Sequence, residues 1–76
     1  MRVNFTVAEL ETGRWALSRG SRHVIDYLSE EDARRAAENM ARAVTDQGET
    51  GSVILRRSGE APVELKSFAP DLKPFR

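Results

Sequence analysis

The segment LSEEDARRAAENMARAV, residues 28–44, decides the fold because it predicts one amphipathic helix. Ser29 is a good N-cap, since its hydroxyl can accept a hydrogen bond from a free N–H of the first turn. Acidic residues follow at positions 30–32, where they complement the positive end of the helix dipole. Apolar residues then recur with helical spacing and form one stripe: Ala33, Ala36, Ala37, Met40, Ala41 and Val44. Because alanine dominates this stripe, the helix can lie close to a sheet.

Local pairs refine the prediction for this helix. Leu28 and Ala33 flank the N-cap at the spacing of a hydrophobic staple. Glu38 and Arg42 are spaced for an ion pair one helical turn apart. The two glycines of DQGETG, residues 46–51, predict the end of the helix.

Three segments before the helix alternate apolar and polar residues, which predicts three half-buried strands: residues 3–7, 14–18 and 22–28. In the second strand Trp15 and Leu17 share the inward phase, and we expect the indole to be buried between sheet and helix. The phase of the third strand is ambiguous. We favour Ile25 and Tyr27 inward, because the opposite phase would bury Asp26.

Two more strands are predicted after the helix, at residues 52–58 and 63–68, separated by the turn GEAP. The first three strands form an antiparallel meander, and a right-handed crossover through the helix sets the fourth strand parallel to the first. We therefore predict an α+β fold, a five-stranded mixed sheet of order 3-2-1-4-5 with one helix on one face. The opposite face must be polar, covered by the tail or buried in an oligomer.

Composition limits the classes of function. The chain of 76 residues is expected to form one domain, 1–76, with residues 70–76 as a partly flexible tail. It contains no cysteine, which excludes disulfides and thiolate metal sites. No apolar run approaches the ~20 residues that span a bilayer, and the N-terminus alternates instead of forming the apolar block of a signal peptide. These features favour the cytoplasm.

The motifs GRWALS, YLSEEDARRAAENMA and VILRRSGEAPVELKSF resemble a family of small bacterial and phage-type domains of unknown function. The resemblance covers nearly the whole chain and rests on short structural motifs around Gly13, Trp15, Ser29 and Gly59. It implies a fold and no activity.

Residues 13–44 are also similar to the amino-terminal arm-binding domain of phage-type integrases, which has three strands and a helix and lays its sheet in a DNA groove. The resemblance implies DNA contacts by Arg14, Arg19 and Arg22, with Ser18 and Ser21 near phosphates. This chain departs from that domain in two ways. Two further strands follow the helix, and its twelve basic residues are balanced by twelve acidic ones, so no net positive charge supports DNA binding.

Single candidate residues favour structural roles. Trp15 can stack on a base, but a core position explains it better. His23 is the only histidine, so a metal site would need carboxylates alone. The acids at 30–32 are explained by helix capping. Arg56 and Arg57 can extend a basic face or simply end a strand. No phosphate loop, nucleophile triad or carboxylate pair is visible.

Two hypotheses from different classes follow. The first is a non-enzymatic module without cofactor or metal that acts by association, as a homodimer or with another protein. Its interface would be the uncovered sheet face or the tail, with Phe68, Leu72 and Phe75 as candidate residues. The alternative is nucleic-acid binding by the first three strands through Arg14, Arg19 and Arg22, which cluster around one predicted hairpin.

Overall fold

A computed structural model describes residues 1–70 as five strands and one helix. The elements are β1 Arg2–Glu9, β2 Trp15–Arg19, β3 Arg22–Tyr27, α1 Glu30–Val44, β4 Thr50–Arg56 and β5 Val63–Phe68. A short 3₁₀ turn, Thr45–Gln47, extends α1. The predicted tail, residues 70–76, lies outside the described residues except for Pro70.

The strands form one sheet of order β3-β2-β1-β4-β5, as predicted. β1 pairs with β2 in antiparallel orientation and with β4 in parallel orientation, because the chain crosses over through α1 between β3 and β4. β4 pairs with β5 in antiparallel orientation. The α+β class and the strand order are therefore confirmed. Among the described residues, no helix has the length and apolar character that a bilayer crossing requires.

The hydrophobic core lies between α1 and the middle of the sheet. The helix contributes Ala33, Ala37, Ala41 and Val44, all buried as the alanine stripe predicts. The sheet contributes Phe5, Val7, Leu17, Val53 and Leu55. Trp15 and Tyr27 are half-buried and pack against this core from the β2–β3 side. The indole contacts the core as predicted but is less buried than predicted, because it lies at the start of β2, at the margin of the core.

The ends of α1 follow the sequence signals. The Ser29 hydroxyl accepts a hydrogen bond from the Asp32 backbone N–H at 3.2 Å, which is the predicted N-cap. After the 3₁₀ turn, Gly48 adopts φ 81°, a left-handed conformation that ends the helix.

Two of the predicted local pairs are wrong. Glu38 lies 3.3 Å from Lys66 of β5, and Arg42 stacks over the Phe68 ring at 5.1 Å, so tertiary partners replace the intrahelical pair. Leu28 is 77% exposed and forms no staple. It follows edge strand β3, at the flank of the sheet that α1 does not cover.

Close contact between two backbones fixes the position of α1. A Cβ built on Gly51 would lie 2.7 Å from the Cα of Ala41, well inside van der Waals contact. Gly51 is buried on the helix side of β4, where it is paired with Val3 of β1. Only a residue without a side chain fits there, so Gly51 and Ala41 together set the distance between helix and sheet.

Gly51→Ala is expected to destabilise the domain by roughly 3 kcal/mol, because the added methyl group meets backbone that cannot move without shifting the whole helix. The free energy of unfolding in urea measures this change. Gly13→Ala is a matched control, since a Cβ at Gly13 meets no atom within 4 Å and only its positive φ, 87°, is unfavourable. The account is contradicted if both variants lose the same stability.

Candidate association surface

The sheet face opposite α1 is polar. Side chains alternate along a strand, and Phe5 and Val7 of β1 point to the helix. Thr6 and Ala8 therefore point to the far face, and so do the residues paired with them in β2 and β4. The interior positions of this face are small or polar, with one larger aliphatic residue: Thr6, Ala8, Ala16, Ser18, Ser52 and Ile54. At its margin Arg2 forms an exposed ion pair with Glu64 at 3.2 Å. This face therefore offers little apolar surface to a partner.

Ser52 is the one fully buried polar residue of this face in the described part of the chain. Its hydroxyl has no hydrogen-bond partner among the described residues. A buried hydroxyl without a partner lowers stability by about 1–3 kcal/mol.

Ser52→Ala is therefore expected to keep or raise the free energy of unfolding, by up to about 1 kcal/mol, since it removes the unpaired hydroxyl and little volume. Urea unfolding measures it. Ser67→Ala, at the exposed position paired with Ser52 in β5, is the control and should be neutral. A loss of more than about 1 kcal/mol in the Ser52 variant would show that the hydroxyl is bonded after all.

On the helix side, the β5 flank is closed by charged contacts. Arg57, which follows β4, donates to both carboxylate oxygens of Glu30 at 3.2 Å. Lys66 reaches Glu38, and Arg42 covers Phe68. These contacts join α1 to the β4–β5 hairpin along its length. A smaller hollow of about 160 Å³ remains on this flank, and its apolar lining includes Leu55, Val63 and Leu65.

The β3 flank is open on the same side. α1 packs mainly over β1 and β4, and a single helix about 10 Å wide covers only two strands spaced by about 4.8 Å. A groove of about 320 Å³ remains between the second half of α1 and the start of β3. Its lining is largely apolar and consists of Phe5, Arg19, Val24, Met40, Ala43, Val44 and Gln47.

Further exposed aliphatic side chains follow Val24 along the chain at this edge of the sheet. Val24 and Ile25 of β3 are 42% and 47% exposed, and Leu28 beyond the strand is 77% exposed. We call these three residues the β3 strip. Elsewhere in residues 1–70 the large hydrophobic residues with comparable exposure are Met1 and Val63. The β3 strip is thus the largest grouping of exposed aliphatic side chains in the described part of the chain.

The three candidate arginines do not form one cluster. Arg19 and Arg22 are paired across β2 and β3 at one end of the sheet. Arg14 precedes β2 at the other end, in the turn where its carbonyl accepts from the Leu10 N–H at 2.8 Å. The prediction of one cluster is therefore wrong, because β2 runs straight between Arg14 and Arg19 and separates them by about 16 Å.

Arg19 and Arg22 remain available to a ligand. Both are exposed, and neither forms an ion pair within residues 1–70. The Arg19 guanidinium lies 5.8 Å from the centre of the Phe5 ring, at the margin of the groove. Ser18 is on the far face of β2, and Ser21 is in the turn between the two strands.

His23 lies on the far face of β3, opposite Ser18, and its Nε2 is 2.7 Å from Asp26 Oδ1. Among residues 1–70, no three side chains of the metal-binding types come together. The acids at 30–32 serve the helix, since Glu30 and Glu31 also pair with Arg34 and Arg35 one turn later.

The candidate interface residues of the C-terminal region divide into two groups. Phe68 ends β5, is half-buried, and packs against the domain's own core under Arg42. Leu72 and Phe75 lie outside the described residues.

A second hollow, of about 560 Å³, opens between the β1–β2 turn and the β4–β5 turn. Two arginines at the end of β4 and just beyond it line this hollow, together with three glutamates: Arg56, Arg57, Glu9, Glu11 and Glu60. The Glu9 carboxylate already accepts a hydrogen bond from the Ser58 N–H at 2.9 Å. The mixed charges give this hollow no clear preference for an anion or a cation.

Comparison with known proteins adds no relative: no protein family, curated protein or solved structure matches the chain.

Sequence reasoning missed the β3 strip. The pairing of β3 with β2 shifts between Leu17 and Ser18, so β3 contains a bulge and Val24 is the extra residue. The signal was present in RHVID, where two adjacent aliphatic residues interrupt the alternation. Ile25 does face the helix side, as predicted, but it remains half-exposed because α1 does not reach it.

Proposed function

We propose that this protein is a small non-enzymatic module that acts by association, with a second copy of itself as the partner. The observation that supports this proposal is the β3 strip beside the open groove. Aliphatic side chains that are grouped at a sheet edge, where backbone N–H and C=O groups are also unpaired, are typical of an interaction site.

A partner at this edge supplies what α1 does not. It pairs the free backbone groups of β3 and covers Val24 and Ile25 on the helix side. An interface of one six-residue strand and a few aliphatic side chains is small. We therefore expect a dissociation constant on the order of 1–100 µM.

Sedimentation equilibrium from 1 µM to 1 mM tests the association. The wild-type chain is expected to pass from monomer to dimer over this range. Ile25→Lys should weaken the dimer at least about tenfold, because the added charge is desolvated at the interface. Val63→Lys is the matched control, since Val63 is an equally exposed aliphatic residue on the other edge strand. A wild-type chain that stays monomeric throughout overturns the proposal.

Nucleic-acid binding remains the second candidate, supported by the pair Arg19 and Arg22. Titration with duplex DNA at 50 and 150 mM salt tests it. If the pair contacts phosphate, Arg22→Ala should reduce the salt slope by about one unit, whereas Arg14→Ala, at the other end of β2, should leave it unchanged. No binding at 50 mM salt excludes this function.

A further inference from the structure

The bulge changes the order of side-chain directions along β3 from simple alternation. Arg22, Ile25 and Tyr27 pair with Arg19, Leu17 and Trp15, all on the helix side of β2. His23 and Asp26 pair with Ser18 and Ala16, on the far face. Val24, the extra residue, lines the groove beside Met40 and Val44 and so faces the helix side as well.

From Arg22 to Tyr27 the six side chains therefore point to the helix side, the far face, the helix side, the helix side, the far face and the helix side. This order reads the same from both ends. A regular six-residue strand alternates and reverses its order when read backwards, so two regular copies cannot pair over their full length with opposite residues on the same face. The bulge removes that obstacle for β3.

Only one antiparallel register of two β3 strands matches all six positions. It places a two-fold axis between Val24 and Ile25. Val24 of each copy then lies opposite Ile25 of the other copy. If the pairing register shifts by one residue in either direction, residues that point to the helix side lie opposite residues that point to the far face. A bulge commonly weakens pairing at an edge. In this register, however, the two bulges meet at the axis. On both sides of the axis, opposed residues of the two strands still point to the same face of the sheet.

The chemistry of the opposed residues is also complementary. His23 lies opposite Asp26 of the second copy, next to the His23–Asp26 hydrogen bond within each copy. Arg22 lies opposite Tyr27 of the second copy, so no like charges face each other across the strands. The aliphatic pair at the axis extends the groove between α1 and β3.

The other edge strand, β5, also contains a bulge, with Leu65 as the extra residue, and has the same order of directions. It differs from β3 in the residues that border and compose it. Pro62 precedes β5, and Glu64 and Lys66 of β5 are engaged by Arg2 and Glu38. Proline and lysine are residues that keep an edge strand from pairing.

We infer that two copies associate through an antiparallel β3–β3 pair whose two-fold axis lies between Val24 and Ile25. The inference rests on the proposed function, since it names the register of that association. The product is a continuous ten-stranded sheet, five strands from each copy, with both helices on the same face.

Cysteine cross-linking tests the register, and the chain has no cysteine of its own to interfere. His23→Cys and Asp26→Cys are prepared separately, mixed at 200 µM and oxidised mildly. Opposed residues have Cβ atoms about 4.5–5.5 Å apart, close to disulfide distance, whereas the same residue in two copies is about 10 Å apart along the strands. The mixture should form a disulfide-linked dimer of one chain of each variant. Each variant alone should form at least about tenfold less.

The outcomes separate this inference from the proposed function. A wild-type chain that is dimeric by sedimentation, together with a mixture that cross-links no faster than either variant alone, overturns the register and leaves self-association standing. A wild-type chain that stays monomeric overturns both. Cross-linking in the mixture alone supports the register.

Discussion

The structure depends on the close approach of α1 to β4 at Gly51 and Ala41. Because no side chain separates the two backbones there, the helix lies low over the middle of the sheet, and the alanine stripe fills the narrow space between them. The larger core residues, Phe5, Leu17 and Val53, then fit beside the helix. A bulkier helix face would lift α1 from the sheet and would separate these residues from their contacts.

The same constraint explains the unequal flanks of the sheet. A helix held over β1 and β4 covers the helix-side faces of the two outer strands only in part. On the β5 side, ion pairs from Glu30 and Glu38 bridge the gap. On the β3 side, α1 offers Met40 and Ala43, which cannot pair with charges, and the surface remains apolar. Ion pairs from the helix thus reach the β5 flank, whereas none reaches the β3 flank within the described residues.

The fold could be predicted because its signals are local. Ser29, the alanine stripe and the glycines after the helix each act within one or two turns of chain, and alternation fixed most strands. The positions of side-chain partners could not be predicted, since Glu38 and Arg42 choose between an intrahelical pair and β5 only once β5 is in place. Likewise the bulge at Val24 arises from pairing with β2, and the clustering of the arginines depends on where β2 begins and ends.

If two copies pair through β3 as proposed, β3 is an edge strand only at low protein concentration. Amide hydrogen exchange followed by NMR at 20 µM and 1 mM tests this pairing most directly, because alternate N–H groups of an unpaired edge strand exchange with water. We expect the outward-facing amides of Arg22–Tyr27 to become protected at the higher concentration, and those of Val63–Phe68 to stay unchanged. Equal exchange in β3 at both concentrations, or protection that grows in β5 instead, would contradict the proposed pairing.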